Sequence, residues 1–274
     1  MPAPLYLVAT PIGNLEDITL RAIRILRDVA SKIACEDTRQ TQKLIDHLGI
    51  RKPLISYHEH NEQSRTPELI DSLKAGESIA LVSDAGTPLV SDPGYRLVAS
   101  AIKEGISVIP IPGASAALTA LSASGLATDD FRFVGFLPAK SGARQRFLEE
   151  LKNEQSTTIA YESPHRILEA LEDVERTMGP RQVVVARELT KLYEEFIRGT
   201  AGEVRQTLQA RQSIKGEITL VIGKPEENTA EGDPLAEVKK LEASGMSRME
   251  AMKSVAKRFG MGKRDLYRML EETE

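Results

Sequence analysis

The run SIALVSDAGTPLVSDPG, residues 78–94, sets how the rest of the chain is read. Four consecutive apolar residues, Ile79 to Val82, fit a strand buried on both faces. They empty without a spacer into twelve residues holding two Gly, two Pro and two Asp. Gly supplies dihedrals that other residues avoid, Pro fixes its own, and Asp and Ser close turns or cap helices. An ordinary surface loop accounts for those residue types. A loop stripped of bulk at a strand end can also bring its backbone close to a ligand, and the rest of the chain arbitrates.

Working outward, short apolar runs alternate with amphipathic stretches. Residues 5–9, 32–35, 54–56, 78–82 and 106–111 read as strands, and 18–30, 41–48, 67–75 and 95–104 as helices. Ile18, Ala22, Ile25, Leu26 and Val29 share one helical face. Apolar, non-alternating strands in a β-α repeat predict a mostly parallel sheet covered on both faces. Beyond residue 113 the pattern loosens. PGASAALTALSASG (112–125) starts a helix of small residues; FRFVGF, TTIAYE, QVVVARE, YEEFIRG and EITLVIG read as five strands. Two of these flank the short ELTKLY connection with no helix between them, which predicts an antiparallel pair. The expected class is α/β: one domain over 1–113, a second over 114–227, then a linker and a basic three-helix tail over 228–274.

With 274 residues, 41% hydrophobic and 28% charged, the chain is long enough for about two folded domains. Its net charge of −4 argues against a polybasic nucleic-acid binder, though a local patch can hide in that figure. The single Cys35 has no intrachain disulfide partner and no CxxC motif, which favours a reducing compartment and a buried, inert thiol. No basic-then-apolar leader and no span of about 20 apolar residues is present, so a cytoplasmic protein is expected.

Open α/β sheets bind ligands at the carboxyl ends of their strands. Three Gly- or Pro-bearing strand exits fall on that edge: ATPIGNL (9–15), SDAGTPLVSDPG and IPGASA (111–116). The last offers a helix N-terminus with Ser115 in reach. Neither GxGxxG after the first strand nor GxxxxGK[ST] occurs, which disfavours a dinucleotide-binding Rossmann domain and a P-loop NTPase. His47, His58, His60 and His165 show no zincin spacing, and no metal is expected. CEDTRQT (35–41) puts Glu36, Asp37 and Arg39 at a strand end, with Asp37 or Thr38 also a plain N-cap. ESPHR (162–166) and ARE (186–188) repeat polar strand ends in the second half, so the halves can face one another across a cleft.

These runs carry a resemblance. LYLVATPIGNLEDITLRA, ACEDTR, LVSDAGTPLVSDPG, IPGASA, GFLP, YESPHR, ARELTK and GEITLVI are similar, in order and spacing, to the tetrapyrrole-methylase-like class of S-adenosylmethionine-dependent methyltransferases. Within that class they resemble the branch that methylates a cytidine 2′-hydroxyl of small-subunit (16S) ribosomal RNA. The resemblance implies two α/β domains of the tetrapyrrole methylase type with S-adenosylmethionine folded in the cleft between them. Carried over by motif, cofactor contacts fall on Pro11, Gly13, Asp84, Gly86, Thr87, Ser115 and Ala116. In the second half they fall on Phe136, Leu137, Tyr161, Ala186, Arg187, Gly216, Glu217 and Thr219. It also implies a homodimer and the 30S subunit or its RNA as partner.

Strand-end placement makes Asp37 the preferred catalytic base, with Glu36 next to it and Arg39 holding a phosphate or the oxyanion. Independently of family, residues 246–268 carry seven Lys or Arg against two acids on an acidic chain. Lys253, Lys257, Arg258, Lys263, Arg264 and Arg268 are therefore expected RNA contacts. Two other readings stay open: a small-molecule, tetrapyrrole-type methylase, and a non-catalytic RNA-binding ribosome assembly factor.

Overall fold

The computed structural model describes residues 2–225, 233–259 and 261–271, without the side chains of Lys257 and Arg258. The chain divides into two compact units, residues 1–224 and 225–274. Ten strands of the first unit are β1 (Leu5–Val8), β2 (Lys32–Cys35), β3 (Leu54–Ser56), β4 (Ile79–Val82), β5 (Val108–Ile111), β6 (Phe131–Phe136), β7 (Thr157–Glu162), β8 (Gln182–Arg187), β9 (Glu195–Thr200) and β10 (Ile218–Ile222). Its helices are α1 (Leu20–Arg24), α2 (Thr38–His47), α3 (Glu62–Lys74), α4 (Tyr95–Lys103), α5 (Ala116–Ser124), α6 (Ser141–Leu151), α7 (Ile167–Met178) and α8 (Ala201–Gln209). The second unit holds α9 (Pro234–Ala243), α10 (Arg248–Arg258) and α11 (Lys263–Glu271).

β1 to β5 form one sheet in the order β3-β2-β4-β1-β5, parallel throughout. Each strand can be apolar along its whole length because helices cover both faces, with β4 buried at all four positions. Ala22, Leu26, Ile33 and Ile45 fill one side of this sheet, and Leu69, Leu73, Leu97 and Ala101 the other. Burying a Leu or Ile side chain of this kind contributes about 1.5–3 kcal/mol.

The second sheet runs β6-β7-β10-β8-β9. β6 pairs parallel with β7, and the other three pairings are antiparallel, including β8 with β9 across the ELTKLY turn. α6, α7 and α8 supply the core on one face. Ala117, Ala120 and Leu121 of α5 pack on the other, with Ile12 from the loop after β1, against Ile159, Val184, Ala186 and Val221. The small residues of α5 let it lie close to the sheet.

Three local expectations differ. The helix expected over 18–30 starts at Leu20, capped by Thr19 Oγ1 accepting from the Ala22 amide at 3.1 Å, and becomes a π-turn over Ile25–Val29. α3 starts five residues before Pro67 rather than at it, and α6 begins at Ser141, six residues before the FLEELK run. α7 begins at Ile167, so Ser163 to Arg166 form a turn ahead of it rather than its first helical residues. The tail folds as three helices around Val238, Ala251, Val255, Leu266 and Leu270.

Candidate functional site: a cavity closed by loops from both sheets

The exits of β1, β4 and β5 are tied to one another by hydrogen bonds. Thr10 and Gly86 exchange backbone bonds at 2.9 and 3.1 Å. Thr10 Oγ1 donates to the Ser83 carbonyl at 3.0 Å, Ser83 Oγ to the Gly86 carbonyl at 3.0 Å, and Thr87 Oγ1 to the Ala114 carbonyl at 3.2 Å. Gly86 takes φ +88°, and a Cβ there would stand 3.4 Å from Ile12 Cγ2. A Cβ on Gly113 would lie 2.8 Å from Ala9 Cβ, so the third loop also depends on a bare backbone. Leu89 and Ser91 hold the left-handed region, φ 72° and 66°, as the β4 loop turns back. The twelve residues from Ser83 to Gly94 thus form a cross-braced wall, not a free loop.

That wall encloses a cavity of ≈ 400 Å³, within the size of small-molecule sites. From the first sheet's edge it is lined by Ile12, Asp84 to Thr87, Val90 to Asp92, Ser115 and Ala116. The second sheet contributes Phe136, Tyr161 to Pro164, Leu189 and Gly216 to Thr219. Tyr161 is held edge-on between Phe133 and Phe136, centroids 4.9 and 5.6 Å away. Ser115 Oγ caps α5 and leaves the helix's first amides at the cavity.

The electrostatics are acidic. Burial, then the Glu36 and Asp84 charges, push the Asp92 carboxyl up to about 6. Burial and Asp84 likewise raise Glu36. Burial raises the Tyr161 phenol, helped by Asp92. The Glu162 side chain is fully buried: Oε1 takes the Arg166 guanidinium and the Ser163 amide, and Oε2 has no partner among the described residues. Among the described residues no group of three or more His, Cys, Asp or Glu is arranged to hold a metal ion.

Most of the expected cofactor residues line this cavity: Asp84, Gly86, Thr87, Ser115, Ala116, Phe136, Tyr161, Gly216, Glu217 and Thr219. Five do not. Pro11 and Leu137 are buried, and Ala186 sits in the core between α5 and the second sheet. Gly13 packs against Lys191, where a Cβ would meet the lysine stem at 2.5 Å. Arg187 is consumed by Glu195 and by the Lys215 carbonyl at 2.9 Å, which pins β8 to β9 and to the chain entering β10. Glu36, Asp37 and Arg39 are not part of the cavity wall. Arg39 Nη2 pairs with Asp37 Oδ2 at 2.8 Å, and its hydrogen bonds hold the Asp37 carboxyl down to about 2, while Asp37 caps α2. Sequence reasoning passed over Asp92, Glu162 and Leu189. SDPG and ESPHR contained the first two, but only tertiary burial distinguishes them from turn residues.

The family described as Tetrapyrrole (Corrin/Porphyrin) Methylases matches residues 4–205. Ribosomal RNA small subunit methyltransferase I of Halalkalibacterium halodurans is 52% identical, over 98% of this chain and 94% of its own. The protein of the same name in Pasteurella multocida is 49% identical, over 96% and 95%. The chain belongs to the ribosomal RNA small subunit methyltransferase I family. The fold extends to distant members of the wider class. A uroporphyrin-III-C-methyltransferase from Thermus thermophilus superposes with TM-score 0.58 at 20% identity, over 81% of this chain and 94% of that one. A diphthine synthase superposes with TM-score 0.64 at 15% identity, over 81% and 90%.

Within the second unit, Lys263, Arg264 and Arg268 line a groove of ≈ 570 Å³ together with Arg248, Met249 and Tyr267. Lys253 is exposed on α10 outside it. The expected contacts Lys257 and Arg258 have side chains that lie outside the described residues. No helix among the described residues is long and apolar enough to cross a membrane.

Proposed function

We propose that this protein methylates the ribose 2′-hydroxyl of a cytidine in small-subunit (16S) ribosomal RNA, using S-adenosylmethionine, in the cytoplasm and as a homodimer. Family membership supports the coarser statement, a methyltransferase of ribosomal RNA. The observation that carries the reading is the convergence of three cross-braced strand exits and the second sheet's edge on one acidic cavity.

The residues present fit such a donor. It is cationic at sulfur and at its amine, and the cavity offers Asp84, Asp92, Glu217 and the unpartnered Glu162 Oε2. Bare backbone at Gly86 and Gly216, φ +88° and +91°, leaves room for close approach, and the first turn of α5 presents free amides. Bound there, the donor supplies an electrophilic methyl group. The protein's part is alignment, since in-line displacement depends on holding oxygen, carbon and sulfur collinear. Rigid walls serve this better than mobile ones, and the hydrogen bonds among Thr10, Ser83, Gly86 and Thr87 supply the rigidity. Ile12, Val90, Leu189 and Phe136 exclude water around the reacting atoms.

Lys253, Lys263, Arg264 and Arg268 of the tail would hold the RNA backbone. Mass mapping of ribosomal RNA from a strain lacking the protein, and from the complemented strain, tests the reading. One cytidine should lose 14 mass units on its ribose and regain them on complementation, as removal of one methyl group requires. An unchanged map would overturn it.

A further inference from the structure

We propose that Asp92 is the catalytic base: its carboxylate lines the cavity and takes the proton from the ribose hydroxyl as that oxygen accepts the methyl group. This inference rests on the ribose-methylation reading and adds the residue that performs the proton transfer.

Elimination among the carboxylates of the cavity wall carries it. Glu162 is committed to Arg166, with Oε1 at 2.8 Å from the guanidinium. Glu217 is three-quarters exposed and paired with Lys191 at 3.0 Å. Asp84 accepts the backbone amide of Asp37 at 3.1 Å, which favours its charged form and reduces its basicity. Asp92 has no ion-pair partner among the described residues. It is half-buried between Val90–Ser91 and Pro93, on a segment fixed by left-handed residues at Leu89 and Ser91 and by Gly94 at φ +134°. A Cβ on Gly94 would meet Leu81 Cδ2 at 2.8 Å, so the segment cannot swing inward without breaking the β4 core.

The groups facing Asp92 are Glu36 from the exit of β2, Asp84 and Ser83 from the exit of β4, and Tyr161 from β7. His58, Glu59 and Asp37 act one layer further out, on Glu36. Two like charges and burial hold its carboxyl near 6, where a base is ionised at neutral pH yet still binds a proton well. Asp37, held near 2 by Arg39, is a far weaker acceptor. In the step itself the 2′-oxygen forms a bond to the methyl carbon, and the carbon–sulfur bond breaks with its electron pair going to sulfur. The hydroxyl proton passes to the Asp92 carboxylate and then to solvent. No oxidant or metal enters the balance.

The test is a pH–rate profile between pH 5 and 9 on undermethylated 30S subunits, for the wild type, Asp92→Asn and Asp92→Glu. S-adenosylmethionine affinity and thermal stability are measured alongside. The wild-type rate should rise through about pH 6, matching the raised carboxyl. Asp92→Asn should lose about 10²–10⁴-fold in kcat and the limb itself while keeping cofactor affinity, and Asp92→Glu should retain the limb at reduced rate. The stability readout is independent of activity. The folded state holds this proton more tightly than the unfolded chain, so ionisation costs stability as pH rises through about 6. Asp92→Asn should therefore raise the melting temperature at pH 7 to 8, with the gain vanishing near pH 4. An intact limb and kcat in Asp92→Asn, with ribose methylation by the wild type demonstrated, would overturn the base assignment alone. Absence of ribose methylation by the wild type would instead overturn the reading beneath it.

Discussion

Gly86 shows how one missing side chain governs the site. Its φ of +88° is a conformation that costs an L-residue about 1–2 kcal/mol, and its carbonyl and amide both bond to Thr10. Gly86→Ala should leave the protein folded, lower its stability by that amount, and weaken S-adenosylmethionine binding at least tenfold by shifting the wall toward Ile12 and Ala114. Equilibrium binding and thermal melts on the variant measure both. This position was legible in the sequence, because a Gly between Asp84 and Thr87 at a strand exit signals backbone that must stay bare. Asp92 and Glu162 were not. Their chemistry comes from which groups the fold buries beside them, Glu36 and Asp84 for the one, Arg166 for the other. Ala186 and Leu137 misled for the opposite reason. In a sheet covered on both faces every strand residue is apolar or small, so nothing local separates a core position from a wall position. Arg187 read as a polar strand end; only its pairing with Glu195 reveals a structural tie.

At the scale of elements, the wall nearest Phe136 hangs on an ion pair in the core. Arg144 of α6 is fully buried, donates from Nε to Asp173 Oδ2 of α7 at 2.7 Å, and reaches the carbonyls of Pro138 and Ala139 at 3.3 Å. Those carbonyls belong to the chain leaving β6. Arg144→Met strands the Asp173 carboxylate, a loss of about 3–5 kcal/mol, whereas a paired exchange of both residues for apolar ones of similar volume should recover most of it. Denaturant unfolding of the single and double variants checks this. The strands, their parallel first half and the β8–β9 hairpin could all be read from apolar runs and the length of their connections. Helix starts could not. Pro67 looked like the first residue of α3, yet the helix runs through it, and the Thr66 hydroxyl donates to the Glu62 carbonyl at 2.6 Å in the turn that precedes it.

Across the whole molecule, charge is partitioned by function. The cavity concentrates acids suited to a cationic donor, while the tail concentrates cations on an otherwise acidic chain. Because each phosphate neutralised releases a counterion, replacing Lys263, Arg264 and Arg268 with Gln should reduce the salt dependence of RNA binding by about one unit of slope per lost contact. Affinity for S-adenosylmethionine should not move. Binding titrations at several salt concentrations measure the slope, and an unchanged slope would remove the tail from the RNA contact. This partition was visible in the sequence, since charge counts survive without coordinates. The groove around Tyr267 was not, because it needs α10 and α11 brought side by side.

Everything in the proposed reaction depends on one cavity, closed by the exits of β1, β4 and β5 and the edge of the second sheet, seating the methyl donor. Photolabelling with tritiated S-adenosylmethionine, followed by peptide mapping, tests it most directly. Label is expected on the peptides carrying Asp84 to Asp92 or Phe136 to Tyr161, competed away by unlabelled donor. Competable label confined to any other part of the chain would contradict it.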